Sequence, residues 1–179
     1  MNDVTIASSD AEAAAGLAVE RHHAQLAGAL ALRAETLSAT AAAHRWSAAD
    51  QARLELANWC RGELVPHALA EEQTLYAEAA RRPEARLLVD AMLAEHKVIV
   101  GLVNDIAETT DVTRAAELTR ALSVLFGVHL AKENEQLLPH LLSAPDVSVA
   151  DLLAGMHDLI GATEEPREIR AGEDRARRI

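Results

Sequence analysis

Two of the eight histidines in this 179-residue chain, His67 and His129, are each followed four positions later by a glutamate, Glu71 and Glu133. Residues four apart on an α-helix share a face, so each pair directs an imidazole and a carboxylate to one place, a donor set suited to a metal ion. Spacing alone is weak evidence: with 28 acidic residues in the chain, chance supplies about 1.3 such pairs among eight histidines. A repeat strengthens it. The stretch "HALAEEQTLYA" from His67 aligns without gaps on "HLAKENEQLLP" from His129, and His, the Glu four later and the Leu eight later coincide. A fainter correspondence links His23, followed by Leu26, Ala27 and Leu30, with His96, followed by Ile99, Val100 and Val103. The chain therefore reads as two hairpins, each pairing a single-His helix with a His-x-x-x-Glu helix.

These residues have to be carried by helices, and the sequence marks where each begins and ends. Ser9 with Glu12 forms a capping-box pattern opening a first helix that runs without proline to about Thr40. Ser47 with Asp50 opens a second, reaching about Arg81, where Pro83 blocks continuation and starts the third. Val89, Met92, His96, Ile99, Val103 and Ile106 form a stripe at steps of three and four along that helix, which fades in the polar "ETTD" at 108–111. A fourth helix runs from about Thr113 to "SAPD" at 143–146, and a short fifth from Ser148 to about Ile160.

With about 1.5 Å of rise per residue, the heights of the histidines can be compared. His67 lies 13 residues before the turn near Ala80, and His96 lies 13 after Pro83; His23 and His67 also match, at 18 and 19 residues from their turn. The third leg is looser, His96 being 12 residues from Glu108 and His129 being 16 from Thr113, a mismatch of roughly 6 Å. The spacing predicts an all-α, up-down-up-down four-helix bundle over residues 1–160, fifth helix included, with one histidine layer. Residues 161–179, rich in both charge signs, read as a mobile tail.

Composition agrees with that architecture and narrows the function. Half the residues are hydrophobic but only 2% are aromatic, which favours helices over strands, and the length suits one domain. A formal charge of -11 argues against nucleic acid as a partner. A single cysteine, Cys60, excludes an intrachain disulfide, and the opening residues do not resemble a secretory signal, so the expected address is cytoplasmic. Apolar runs are far shorter than the roughly 20 residues that cross a bilayer.

Four imidazoles and two carboxylates inside an apolar bundle require a compensating charge, which two metal ions would provide. Imidazole and carboxylate without thiolate suit iron or manganese, with zinc also compatible. In this scheme Glu71 and Glu133 bridge two ions, His23 and His67 lie nearer one, and His96 and His129 nearer the other. Positions remain for an oxo or hydroxo bridge and for a small exogenous ligand, which implies reactivity.

Over about residues 10–142 the chain resembles the hemerythrin-like, HHE cation-binding family. The resemblance rests on His23, on "HALAEEQTLY" in the second helix, on "EH" at 95–96, and on "HLAKENEQLLP", which is similar to the family's His-x-x-x-Glu-Glu-x-x-Leu-Phe-Pro ending. It implies a four-helix bundle around a non-haem di-iron centre. The oxygen carriers have a further His four residues after the third-helix ligand and an Asp five after the fourth-helix His; here these places hold Val100 and Asn134. The arrangement looks like the branch with iron-centre repair proteins and with bacterial members linked to peroxide or nitric oxide. That implies binding or reduction of a small oxidant, hydrogen peroxide first and O2 or NO next, in a catalase- or peroxidase-like way. An iron-binding, iron-sensing or repair module without turnover is the alternative, and a helical interaction protein that binds no metal is a third.

The remaining candidates weigh less. His22 competes with His23 for the first-helix role, and His23 has the better apolar follow-up. His44 falls in a connection, His140 lies about 16 Å along the helix from His129, and His157 belongs to the fifth helix. Glu72 and Glu95 adjoin the ligand positions and can orient an imidazole or simply face water. Cys60 reads as core filler, Trp46 and Trp59 as packing residues, and Pro66 as a kink just before His67.

Overall fold

In the computed structural model, residues 7 and 9–164 are described, the side chains of 161–164 excepted. Helix α1 is Asp10–Ala42. Helix α2 covers 46–79, as Trp46–Trp59, a wide π turn Cys60–Leu64, Val65–Gln73 and, after a break at Thr74, Leu75–Ala79. Helix α3 is Pro83–Glu108; α4 covers 112–142, as Val112–Lys132, a second π turn Glu133–Leu137, and Leu138–Leu142; α5 is Val149–Glu164. Every described element is helical, and α1 to α4 form the expected bundle. The fifth helix runs a turn past Ile160, and the tail read over 161–179 lies, beyond Glu164, outside the described residues.

The helix ends follow local chemistry with two departures. Ser9 Oγ accepts from Glu12 N at 3.2 Å, but Glu12 does not return the bond to its own helix. Its carboxylate instead accepts from Ser148 Oγ at 2.9 Å and Val149 N at 2.6 Å, capping α5 and holding it against α1. Helix α2 begins at Trp46, so Ser47 lies inside it and is not the cap. Asp111 caps α4 as an acceptor for Thr113 N at 2.9 Å and Arg114 N at 3.2 Å.

The π turns each precede a proline, Pro66 and Pro139, at the second position of the following α segment. A proline inside a helix has no N–H to donate and its ring collides with the carbonyl four residues back. Widening the turn removes that collision, and the backbone N–H of Val65 bonds to Cys60 O while that of Leu138 bonds to Glu133 O. Pro66 thus produces a wide turn ahead of His67.

The core divides along the bundle axis. One apolar cluster gathers Val19, Leu75, Val89, Met92, Leu138 and Leu141 near α5. A second gathers Leu26, Leu30, Leu56, Leu64, Ile99 and Phe126 towards the other end. His23, His67 and His96 fall between them in sequence, and His129 lies at the edge of the second cluster, between Phe126 and Leu130. Cys60 belongs to the second cluster, where burial pushes its thiol up to about 12, in keeping with a filler role. Trp59 packs on that cluster with the Arg33 guanidinium 4.7 Å from its ring centre, whereas Trp46 is half exposed and is not the packing residue expected of it.

The extra turn at the start of α4 has its own place. Val112 and Ala115 pack with Leu37, Ala49 and Ala52 of α1 and α2, in a small cluster beyond the end of α3. Helix α3 can stop short because Arg53, buried in α2, donates to the carbonyls of Ile106 at 3.1 Å and Ala107 at 2.7 Å, with Asp50 2.7 Å away as its counter-ion. Replacing Arg53 with Met leaves those carbonyls without their donor, and the unfolding free energy in a urea titration should fall by about 1–3 kcal/mol. Arg61→Met, which removes a surface bond to Asn104, should change it by less than about 0.5 kcal/mol.

Candidate metal centre

All six residues singled out by spacing meet in the layer between the two apolar clusters: His23, His67, Glu71, His96, His129 and Glu133 are each no more than 3% exposed. On one side Glu71 Oε1 lies 3.1 Å from His23 Nε2 and 3.0 Å from His67 Nε2. On the other, His96 Nε2 and His129 Nε2 are 2.9 Å apart, with Glu133 Oε1 3.5 Å from His129 Nε2. Glu71 Oε2 reaches within 3.9 Å of His96 Nε2, and Glu133 Oε2 within 3.7 Å of His23 Nε2, so each carboxylate spans both halves. Two donor groups result, His23–His67–Glu71 and Glu71–His96–His129–Glu133, sharing Glu71.

Side chains behind the layer fix the imidazole rings. Asn134 Oδ1 is 2.7 Å from His23 Nδ1, Glu72 Oε1 is 2.9 Å from His96 Nδ1, and Glu95 Oε2 is 2.9 Å from His129 Nδ1. Lys132 pairs with the other oxygen of Glu95. These oxygens hold each Nδ1 and turn Nε2 into the layer, where it can bind a metal ion once free of its proton. Glu72 and Glu95 are thus ring-orienting acids. Asn134, which the spacing had marked only as a departure from the oxygen carriers, does the same for His23.

The donor chemistry fits a cation. With Nδ1 of each ring anchored by a carboxylate, His96 Nε2 and His129 Nε2 face one another at 2.9 Å, a spacing that suits two ligands of one metal ion. Both ring nitrogens of His67 and Glu133 Oε2 are buried and find no hydrogen-bond partner among the described residues. Glu71 Oε1 stands near His67 Nε2 without hydrogen-bond geometry, as neighbouring ligands of one ion do. Burial without partners is costly, and coordination removes the cost.

The other histidines stay out of the layer. His22 is half buried, its ring 4.8 Å from that of His67, and burial with the nearby His67 and His23 lowers its pKa to about 4. It is His23 that turns inward. His44 occupies a left-handed turn at φ 54° beside Trp46, His140 sits 3.8 Å from Glu84, and His157 is exposed on α5.

Tyr76, which no spacing from the histidines marks as a partner, also reaches the layer. Its hydroxyl bonds to Glu133 Oε1 and lies 3.1 Å from His129 Nε2 and 3.4 Å from His96 Nε2. Burial and the Glu133 and Glu71 carboxylates raise its pKa, so without a cation it is a neutral phenol.

The hemerythrin HHE cation binding domain family matches residues 18–164, and the chain belongs to that family. No curated protein and no solved structure matches it. Family membership and the buried His/Glu cluster together point to metal binding.

Without metal, the layer must be held by charge pairing. Burial alone would lower the His23 pKa, but Glu71 and Glu133 raise it to about 9, while His67 and His23 hold Glu71 well below the carboxylate range against its own burial. The His23 contribution is complete below its unfolded pKa of about 6.5 and is lost as pH rises through about 9; the Glu71 contribution persists down to well below pH 4.5. Metal-free protein should therefore lose thermal stability between pH 6.5 and 9, read as a falling Tm. A flat Tm across that range would contradict the pairing.

Proposed function

We propose that this chain is a non-haem di-iron protein that binds or reduces a small oxidant, hydrogen peroxide first, with dioxygen and nitric oxide as further ligands. The supporting observation is the shared carboxylate: Glu71 belongs to both donor groups, and Glu133 reaches from one to the other. We assign His23, His67, Glu71, His96, His129 and Glu133 as ligands, with manganese and zinc as the competing metals. Iron held there would supply a redox couple and a Lewis-acidic place for the oxidant.

The protein's own residues prepare that place. Asn134, Glu72 and Glu95 aim three of the four Nε2 lone pairs, so little reorganisation is needed when a cation is held. The two apolar clusters close the layer from both ends, which strengthens each electrostatic contact inside it. On the α1–α4 side, a surface cavity of about 250 Å³ has Glu20 and Asn134 in its wall, one hydrogen bond from His23. A small molecule in it would lie beside the Asn134 anchor of the His23 half of the site.

A second reading, an iron-sensing or repair module without turnover, is favoured by the deep burial of all six donors, which suits a retained ion as well as a reactive one. Metal content per chain, followed by the visible spectrum before and after peroxide, separates the two. Two irons per chain with a peroxide-sensitive band are expected; two irons with an inert spectrum would support sensing or repair. Glu71→Ala and Glu133→Ala should each weaken metal binding by more than about tenfold, and His140→Ala should not; equal metal in all three variants would sink the assignment. Dialysis toward pH 5 should strip the metal, because imidazoles must shed their protons to bind.

A further inference from the structure

Three atoms in the layer form a triangle with sides of 2.9, 3.1 and 3.4 Å: His96 Nε2, His129 Nε2 and Tyr76 Oη. The phenol has one proton, and its bond to Glu133 Oε1 uses it. Glu95 and Glu72 anchor Nδ1 of His129 and His96, so both rings turn Nε2 toward the phenol oxygen. Three potential ligand atoms then face one another. Adjacent ligands on an octahedral ion with bonds of about 2.1 Å stand about 3 Å apart, close to the sides of this triangle.

Resting on the di-iron reading above, we propose that Tyr76 is a seventh protein ligand, its phenolate oxygen bound to the ion held by His96, His129 and Glu133. The phenol O–H bond breaks as the ion binds, the proton leaves to solvent, and the oxygen's electron pair forms the new bond, so no electron is transferred. A cation beside the hydroxyl reverses the electrostatics that keep it protonated in the metal-free layer. A third anionic oxygen beside Glu71 and Glu133 favours ferric over ferrous iron. It also fills a coordination position on the His96–His129 side, which directs an exogenous ligand to the ion between His23 and His67.

The chain has one tyrosine, so isotopic labelling reports on Tyr76 without any substitution. Full-length protein grown with ring-deuterated tyrosine and loaded with ferric iron should show a visible absorption band whose excitation enhances tyrosinate ring vibrations, shifted relative to unlabelled protein. Tyr76→Phe should lose the band and those vibrations while retaining most of its iron. Bound iron with no tyrosine-sensitive vibration in the labelled wild type would overturn the Tyr76 assignment and leave the di-iron reading standing. Failure of the wild type to bind ferric iron would overturn both.

Discussion

Six ionisable side chains in one buried layer impose the constraint on which the rest of this bundle depends. Each imidazole and carboxylate taken from water loses hydration that an apolar core cannot return. The layer is tolerable only if its charges meet one another or a cation, and this requires four helices to bring donors to one height within a few ångströms. A small slip of any helix would leave a charge buried and alone. The apolar clusters above and below the layer provide the packing that holds the register.

Much of the remaining architecture serves that register. Arg53 satisfies the end of α3, so that helix can stop while α4 continues for another turn onto Leu37, Ala49 and Ala52. This takes up the height difference between His96 and His129, whose Nε2 atoms end 2.9 Å apart. Glu12 does comparable work at the opposite end, where its carboxylate caps α5 and fastens it over α1. Both are buried polar residues whose partners lie far away in the chain, so neither resembles a functional group in sequence.

Behind the layer, the oxygens of Asn134, Glu72 and Glu95 decide which nitrogen of each ring faces inward. His67 has no such partner, and its ring packs against His22 instead. The two halves of the site are therefore unlike, despite the similar motifs that supply them. On the His96–His129 side the rings are fixed by carboxylates and Tyr76 is close; the His23–His67 side has one amide anchor and a nearby surface cavity.

Periodicity, proline placement and the repeat were enough to specify the helices, their order and the six side chains that meet in the layer, because all of these depend on local spacing along regular helices. Tyr76 was hidden for a physical reason. At about 100° per residue, a straight helix would set it roughly 180° from His67 and 140° from Glu71. The break at Thr74, whose hydroxyl bonds to Ala70 O at 2.7 Å, interrupts that regularity, and Leu75, Tyr76 and Ala79 beyond it are all buried. Pro66 announced a disturbance in α2, but the backbone's response, a wide turn, depends on neighbouring helices filling the space around it. The sequence by itself determined which residues could be donors, since that is a matter of residue type and helical phase. Only the tertiary structure decided their partners, the inward face of each ring and the entry of Tyr76, because those depend on side chains that meet across helices.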